Sequence, residues 1–128
     1  MYKKAGGGNF FKAFNGVSTL GFSLQAMWTL INNHSDVFSE CEVADDLNIA
    51  YQLSLIVEMM CEKPAKMLGL DSVKGNIEMG KQADFVIFDP DMEYNVTKQD
   101  IHSRFDDVCI YKNKTLKGKV LGTFLAGH

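Results

Sequence analysis

The stretch Pro64-Ala65-Lys66-Met67-Leu68-Gly69-Leu70, followed by Lys74-Gly75, Ile77, Gly80 and Ala83-Asp84-Phe85-Val86, divides the chain into two regimes. Proline has no N–H and a fixed φ, so Pro64 suits the start of a short helix over Ala65 to Leu68. Gly69 can end that helix in the left-handed conformation. Gly75 and Gly80 bracket a turn-rich passage. Ala83 to Asp89 is then a strand candidate that Pro90 is expected to end. Its Phe85 and Ile87 point one way and Val86 and Phe88 the other, so both of its faces are expected to be covered.

Toward the N-terminus the period is helical. Leu20, Leu24, Met27 and Ile31 fall at i, i+4, i+7 and i+11, which predicts a helix over 19–32. Asn32-Asn33-His34-Ser35 should stop it. The acidic stretch from Ser39 to Asp46 reads as a surface loop. Ile49, Leu53, Ile56, Val57 and Met60 form a second apolar stripe, with Asp45 or Asp46 as its N-cap. Toward the C-terminus the elements are short strands. Tyr94-Asn95-Val96, Val108-Cys109-Ile110-Tyr111 and Lys119 to Leu125 are strand candidates, with Asn113 and Gly118 expected to supply turns.

The composition narrows the class. Of 128 residues, 46% are hydrophobic and 23% charged, which excludes collagen-like and disordered chains. No apolar run approaches the roughly 18 residues of a membrane span. The net charge of -3 offers no basic footprint for nucleic acid. Met1-Tyr2-Lys3-Lys4-Ala5 is basic, but Gly6-Gly7-Gly8 follows where a signal peptide needs an apolar core. Cys41, Cys61 and Cys109 are odd in number and far apart, which fits a reducing, cytoplasmic setting better than a disulfide framework.

A search for chemistry finds no complete catalytic set. His34, His102 and His128 are isolated, with no His-x-His or His-Glu-x-x-His pattern. The cysteines lack metal-ligand spacing. Adjacent residues diverge on a helix or strand, so Asp45-Asp46 and Asp106-Asp107 read as solvated surface or caps rather than acid–base pairs. Ser18 and Ser23 lack a nucleophile-elbow context. From the residues alone, no catalytic and no metal-binding residue is assigned.

The pattern from Pro64 to Val86 nevertheless resembles the C-terminal signature of the cyclic-amide branch of the amidohydrolases, which includes allantoinases, dihydropyrimidinases (hydantoinases) and dihydroorotases. The run from Asn9 to Leu20, through Lys12-Ala13 and Val17-Ser18-Thr19, with Trp28-Thr29 further on, resembles the allantoinase segment that follows the last barrel strand. Tyr111, Leu116, Gly118, Val120, Thr123 and Gly127 fit the closing pattern of that branch. Phe14, Asn15 and Asn113 depart from it. Phe14 replaces a tryptophan, and Asn15 and Asn113 replace glycines. Asn-Gly at 15–16 is closer to the hydantoinases, and Asn113 still tolerates a left-handed turn.

The resemblance implies an α/β fold: the C-terminal portion of a (β/α)8 barrel, contributing helices, plus part of the small β-sandwich beside it. Residues 1–18 would be the lead-in and active-site loop, 19–70 the terminal barrel helices, and 71–128 the sandwich segment. It implies a metal-dependent hydrolase that opens a cyclic amide, allantoin to allantoate in the allantoinases, with two divalent metals, usually zinc. The ligands of those metals lie upstream of the segment seen here, so the chain alone is expected to hold no metal cofactor and to be inactive. The residues it would contribute to substrate binding are Asn15, through its backbone, and Gly16, by allowing close approach. The same two residues also read as a plain turn. The implied partner is a small-molecule cyclic amide, with neither nucleic acid nor membrane, and the apolar stripes suggest a homo-oligomer or self-association. A dihydropyrimidinase or hydantoinase segment and a non-catalytic scaffold or binding module are the alternatives.

Overall fold

The computed structural model describes residues 11, 20–34, 45–102 and 109–128, without the side chains of 45–47. Among these, helix α1 spans Ser23–Asn33 and helix α2 Asp45–Val57. A π turn, Glu58–Glu62, leads into a short helix α3, Lys63–Met67. Strands β1, Phe85–Asn95, and β2, Thr115–Phe124, pair antiparallel in a two-stranded sheet. No helix among the described residues is long and apolar enough to cross a membrane.

Helix α1 starts later than its stripe suggests. Gly21 has φ +91°, so the chain cannot be helical there, and Leu20 is left 95% exposed before the first turn. The face that packs is instead Leu24, Met27, Trp28 and Ile31, against Ile56 and its neighbours Ile49, Leu53 and Met60 on α2 and the turn after it. Val57, expected in the second stripe, is 40% exposed. Asp45 and Asp46 are the first two residues of α2 rather than its N-cap.

Pro64 lies in the first turn of α3, as expected, but that helix is not separate from the one before it. The chain stays helical from Asp45 to Met67, and the π turn absorbs the proline. Lys63 N–H bonds back five residues to the Glu58 carbonyl, widening the turn beside a residue that can donate no bond. The end of α3 is as expected. Gly69 has φ +68°, its N–H bonds the Lys66 carbonyl at 3.1 Å, and Leu70 N–H bonds that of Ala65 at 2.8 Å. Gly75 (φ +103°) then passes against Ala65, where a Cβ would lie 2.8 Å from the alanine methyl.

The sheet departs further from expectation. Pro90 does not end β1, which runs on to Asn95 and absorbs Tyr94-Asn95. Asp89 pairs with Lys119 and Glu93 with Lys117, so Pro90, Asp91 and Met92 bulge out opposite Gly118 alone. The bulge accommodates the proline because it needs no ladder donor there. Asp89 Oδ1 holds the bulge by accepting the N–H groups of Asp91 and Met92 at 3.0 and 3.2 Å. Gly118 lies inside β2, not in a turn, with φ +83°. Cys109 to Tyr111 form turn rather than strand, and Val108 lies outside the described residues. Asn113 takes the expected left-handed conformation, φ 62°. Near one end of the sheet both faces are only partly covered: Phe85, Val86 and Ile87 are 39%, 45% and 48% exposed.

Among the described residues two apolar clusters result. One gathers Trp28, Ile31 and Ile56 with Phe88 of β1. The other joins Phe22 to Val96, Ile101, Cys109 and Leu116, with Tyr94 and Tyr111 packed on it. Gly118 belongs to the seam of the first. A Cβ there would lie 2.6 Å from Trp28 Cδ1 and still closer to the Phe88 ring. Gly118→Ala should therefore combine overpacking with left-handed strain and cost about 2–4 kcal/mol. Urea denaturation of the chain checks it, and a midpoint equal to wild type would contradict the packing described.

Candidate functional site: the seam between helix and sheet

Helix α1 meets the sheet at the bulge. Trp28, at 1% exposure, sets its ring edge-on to Phe88, with centroids 5.9 Å apart, and its Nε1–H donates to the Pro90 carbonyl at 2.8 Å. One residue on, Thr29 Oγ1 accepts the Lys117 N–H at 2.8 Å. Its single proton goes to the Gln25 carbonyl at 2.7 Å, with the Lys117 carbonyl, at 3.2 Å, as the alternative acceptor. One helical turn further, Asn32 Oδ1 accepts from Lys117 Nζ at 3.1 Å. Three side chains on one edge of a single helix thus tie two backbone groups and one lysine of the bulged strands to α1.

Beside this seam lies a polar group of Gln25, Tyr94, Asp100 and Lys119. Gln25 is buried. Lys119 Nζ sits 5.2 Å from the centre of the Tyr94 ring. Burial raises the Tyr94 hydroxyl pKa and the negative charge of Asp100 adds to this, while the Gln25 side chain pulls the other way. Asp100 is held below the usual carboxylate range by the Thr97 hydroxyl, which donates to it at 2.6 Å, and by the Thr97 N–H at 2.8 Å. The two residues form a reciprocal cap on the helical turn Lys98–Asp100.

A second tie closes the end of the sheet. Lys74 and Asp84 form an ion pair, and Asp84 Oδ1 also accepts the Ala126 N–H at 2.8 Å. Gly127 N–H bonds the Ala83 carbonyl at 2.9 Å. The Ala83-Asp84 step thereby connects the turns after α3 to the last residues of the chain.

None of these groups forms a nucleophile–base pair. Among the described residues no group of three or more His, Cys, Asp or Glu could hold a metal ion, so the metals implied by the resemblance do not fit the residues described. Asn15 and Gly16 lie outside the described residues, as do Cys41 and Asp106-Asp107. Sequence reasoning singled out Trp28-Thr29 only as part of a pattern. It missed Pro90 and Gly118 as partners of that pair. The available signal was a proline inside one alternating strand and a glycine inside the other, both marks of a bulge or a close approach.

Residues 29–128 match the amidohydrolase family. The chain is 30% identical over 122 residues to the allantoinase of Arabidopsis thaliana, covering 94% of this chain and 21% of that protein. It is 32% identical over 120 residues to the allantoinase of Streptomyces avermitilis, covering 94% and 23%. The solved L-hydantoinase (dihydropyrimidinase) from Arthrobacter aurescens superposes with a TM-score of 0.68 at 28% identity, over 99% of this chain and 25% of that one. The chain belongs to the amidohydrolase family. It spans about a fifth of the length of the curated relatives it matches.

Asp84 yields a pH prediction. Its pKa is lowered from 3.8, first by the hydrogen bond from Lys74 and then by that from Ala126 N–H. A lowered folded-state pKa gives stability that is present above the unfolded value and is lost as pH falls through the folded value. Asp84→Asn should therefore flatten the acid limb of a stability profile below about pH 4. Urea midpoints from pH 7 to pH 2 measure it; an unchanged acid limb in the variant would show that the tie contributes nothing.

Proposed function

We propose that this chain is the C-terminal portion of a cyclic-amide hydrolase of the allantoinase type. It would contribute terminal helices of a (β/α)8 barrel and part of the accompanying sandwich, and the complete enzyme would open the hydantoin ring of allantoin to allantoate. The observation that carries this reading is the likeness to an allantoinase along 94% of the chain, at 30% identity. The hydantoinase that matches in structure supports a second reading, hydrolysis of a simpler hydantoin or a dihydropyrimidine. The two readings share the bond cleaved and differ in the ring substituent accepted.

In this proposal the divalent metals are held by groups beyond the described residues. When bound, those metals would activate a water, and this chain would contribute Asn15 and Gly16 to the substrate side. The Asn15 backbone N–H and carbonyl hold the ring, and Gly16 lets the ring come close. A cytoplasmic setting accords with the free thiols of Cys61 and Cys109. Self-association accords with the half-exposed Phe85, Val86 and Ile87 on a sheet of two strands.

The test is a complete enzyme carrying this chain as its C-terminal segment, assayed on allantoin, hydantoin and dihydrouracil. A preference for allantoin in kcat/KM supports the first reading, a preference for either of the others supports the second, and no hydrolysis of any of them by metal-loaded protein overturns both. The 128-residue chain alone should show no metal-dependent turnover above a blank with added zinc, manganese or cobalt; turnover abolished by a chelator would contradict this.

In the complete enzyme, Asn15→Gly should keep most activity. Asn15→Pro removes the N–H donor and fixes φ near about -65°, and should lower kcat/KM roughly 5- to 150-fold. Gly16→Val should be at least as damaging. If Asn15→Pro and Gly16→Val both retain wild-type kinetics, the two residues form a plain turn.

A further inference from the structure

We infer that residues 125–128 form a strap that opens as one unit, and that the Asp84 carboxylate is the clasp coupling this strap to the loop after α3. The strap is closed on itself: Leu125 N–H bonds the His128 carbonyl at 3.0 Å, and His128 N–H bonds that of Leu125 at 3.1 Å. It begins where the sheet ends, one residue past the Phe85↔Phe124 pair, whose rings stack 4.7 Å apart. Two hydrogen bonds attach it to the step before β1. Ala126 N–H donates to Asp84 Oδ1 at 2.8 Å, and Gly127 N–H to the Ala83 carbonyl at 2.9 Å. Leu125 is 66% exposed and the three residues after it are exposed as well, so little apolar burial adds to those bonds.

Ala126 is also held against its own preference. Its φ of 53° is left-handed, a conformation that a residue with a Cβ adopts roughly 5- to 30-fold less readily than the right-handed one. The bond to Asp84 offsets that strain, so the strap stays closed only while the carboxylate is in place. The two oxygens of Asp84 face different segments: Oδ1 takes Ala126, and Oδ2 is paired with Lys74. Lys74 is fixed from its own side. Its N–H bonds the Leu70 carbonyl at 2.8 Å, and Leu70 N–H bonds that of Ala65 in α3 at 2.8 Å. Gln82 N–H closes the same loop on the Val73 carbonyl at 2.9 Å. A carboxylate is planar and turns as a whole, so a charged partner on one oxygen orients the other. Lys74 thereby acts on Ala126 through Asp84, and the end of α3 is linked to the strap by one side chain.

Backbone hydrogen exchange in the 128-residue chain, read by NMR and corrected for intrinsic rates, tests this. Asp84→Ala removes the clasp and should speed exchange of the Ala126 and Gly127 amides by about tenfold or more relative to the Lys117 amide, which Thr29 holds in the seam. Lys74→Met leaves Asp84 Oδ1 in the chain but frees the carboxylate to turn, and should speed the same two amides by about threefold or more. Ala126→Gly relieves the left-handed strain at some cost in chain entropy and should slow exchange at positions 126 and 127 roughly two- to fivefold. Unchanged exchange at these positions in Asp84→Ala or Lys74→Met, or acceleration no greater than at Lys117, overturns the inference. Should Asp84→Ala not fold, Lys74→Met and Ala126→Gly decide it, and a strap that exchanges no more slowly in Ala126→Gly overturns it as well.

Discussion

The structure turns on the wider of two irregularities in a two-stranded sheet. Three residues of β1, Pro90 to Met92, face Gly118 alone in β2. A bulge of this size leaves backbone groups without ladder partners, and an unsatisfied backbone group away from water costs about 1–3 kcal/mol. Helix α1 supplies the missing partners: the Trp28 indole takes the Pro90 carbonyl, and the Thr29 hydroxyl takes the Lys117 N–H. The glycine is required by the same fit, since Trp28 and Phe88 occupy the volume a side chain at position 118 would need. Proline, glycine, tryptophan and threonine, four residues drawn from three elements, are one device.

Much else follows from fixing α1. The same apolar face reaches α2 through Ile31 and Ile56, so the helical stretch Asp45 to Met67 is placed relative to the sheet through α1. Phe22, just before the helix, closes the second cluster under Val96 and Leu116. At the opposite end of the sheet, Asp84 joins Lys74 to the Ala126 N–H and ties the turns after Gly69 to the final residues. Among the described residues, two apolar clusters are thus bridged by one helix. The sheet keeps Phe85, Val86 and Ile87 half-exposed at one end.

The sequence by itself determined the local punctuation. Gly69 and Asn113 were legible as left-handed positions, and Gly75 and Gly80 as turns, because only residues with little or no Cβ penalty occupy φ > 0 cheaply. The family was legible as well, in the spacing of Pro64, Gly69, Gly75, Gly80 and Ala83-Asp84, and in Trp28-Thr29. What periodicity could not decide were the places where one element's conformation is set by another. Leu20 belongs to the apolar stripe by spacing, yet the φ of Gly21 excludes it from the helix. Pro64 reads as a helix start and Pro90 as a strand end. Each is instead carried through, by a π turn in one case and a bulge in the other. Gly118 reads as a turn because its neighbours Trp28 and Phe88 are 90 and 30 residues away in the chain. The substrate-side residues, Asn15 and Gly16, were assigned by resemblance alone and lie outside the described residues. A local pattern records what a residue prefers. Only tertiary contact decides which preference is overridden, because the free energy of a satisfied bulge and a filled seam exceeds the fraction of a kcal/mol by which most local propensities differ.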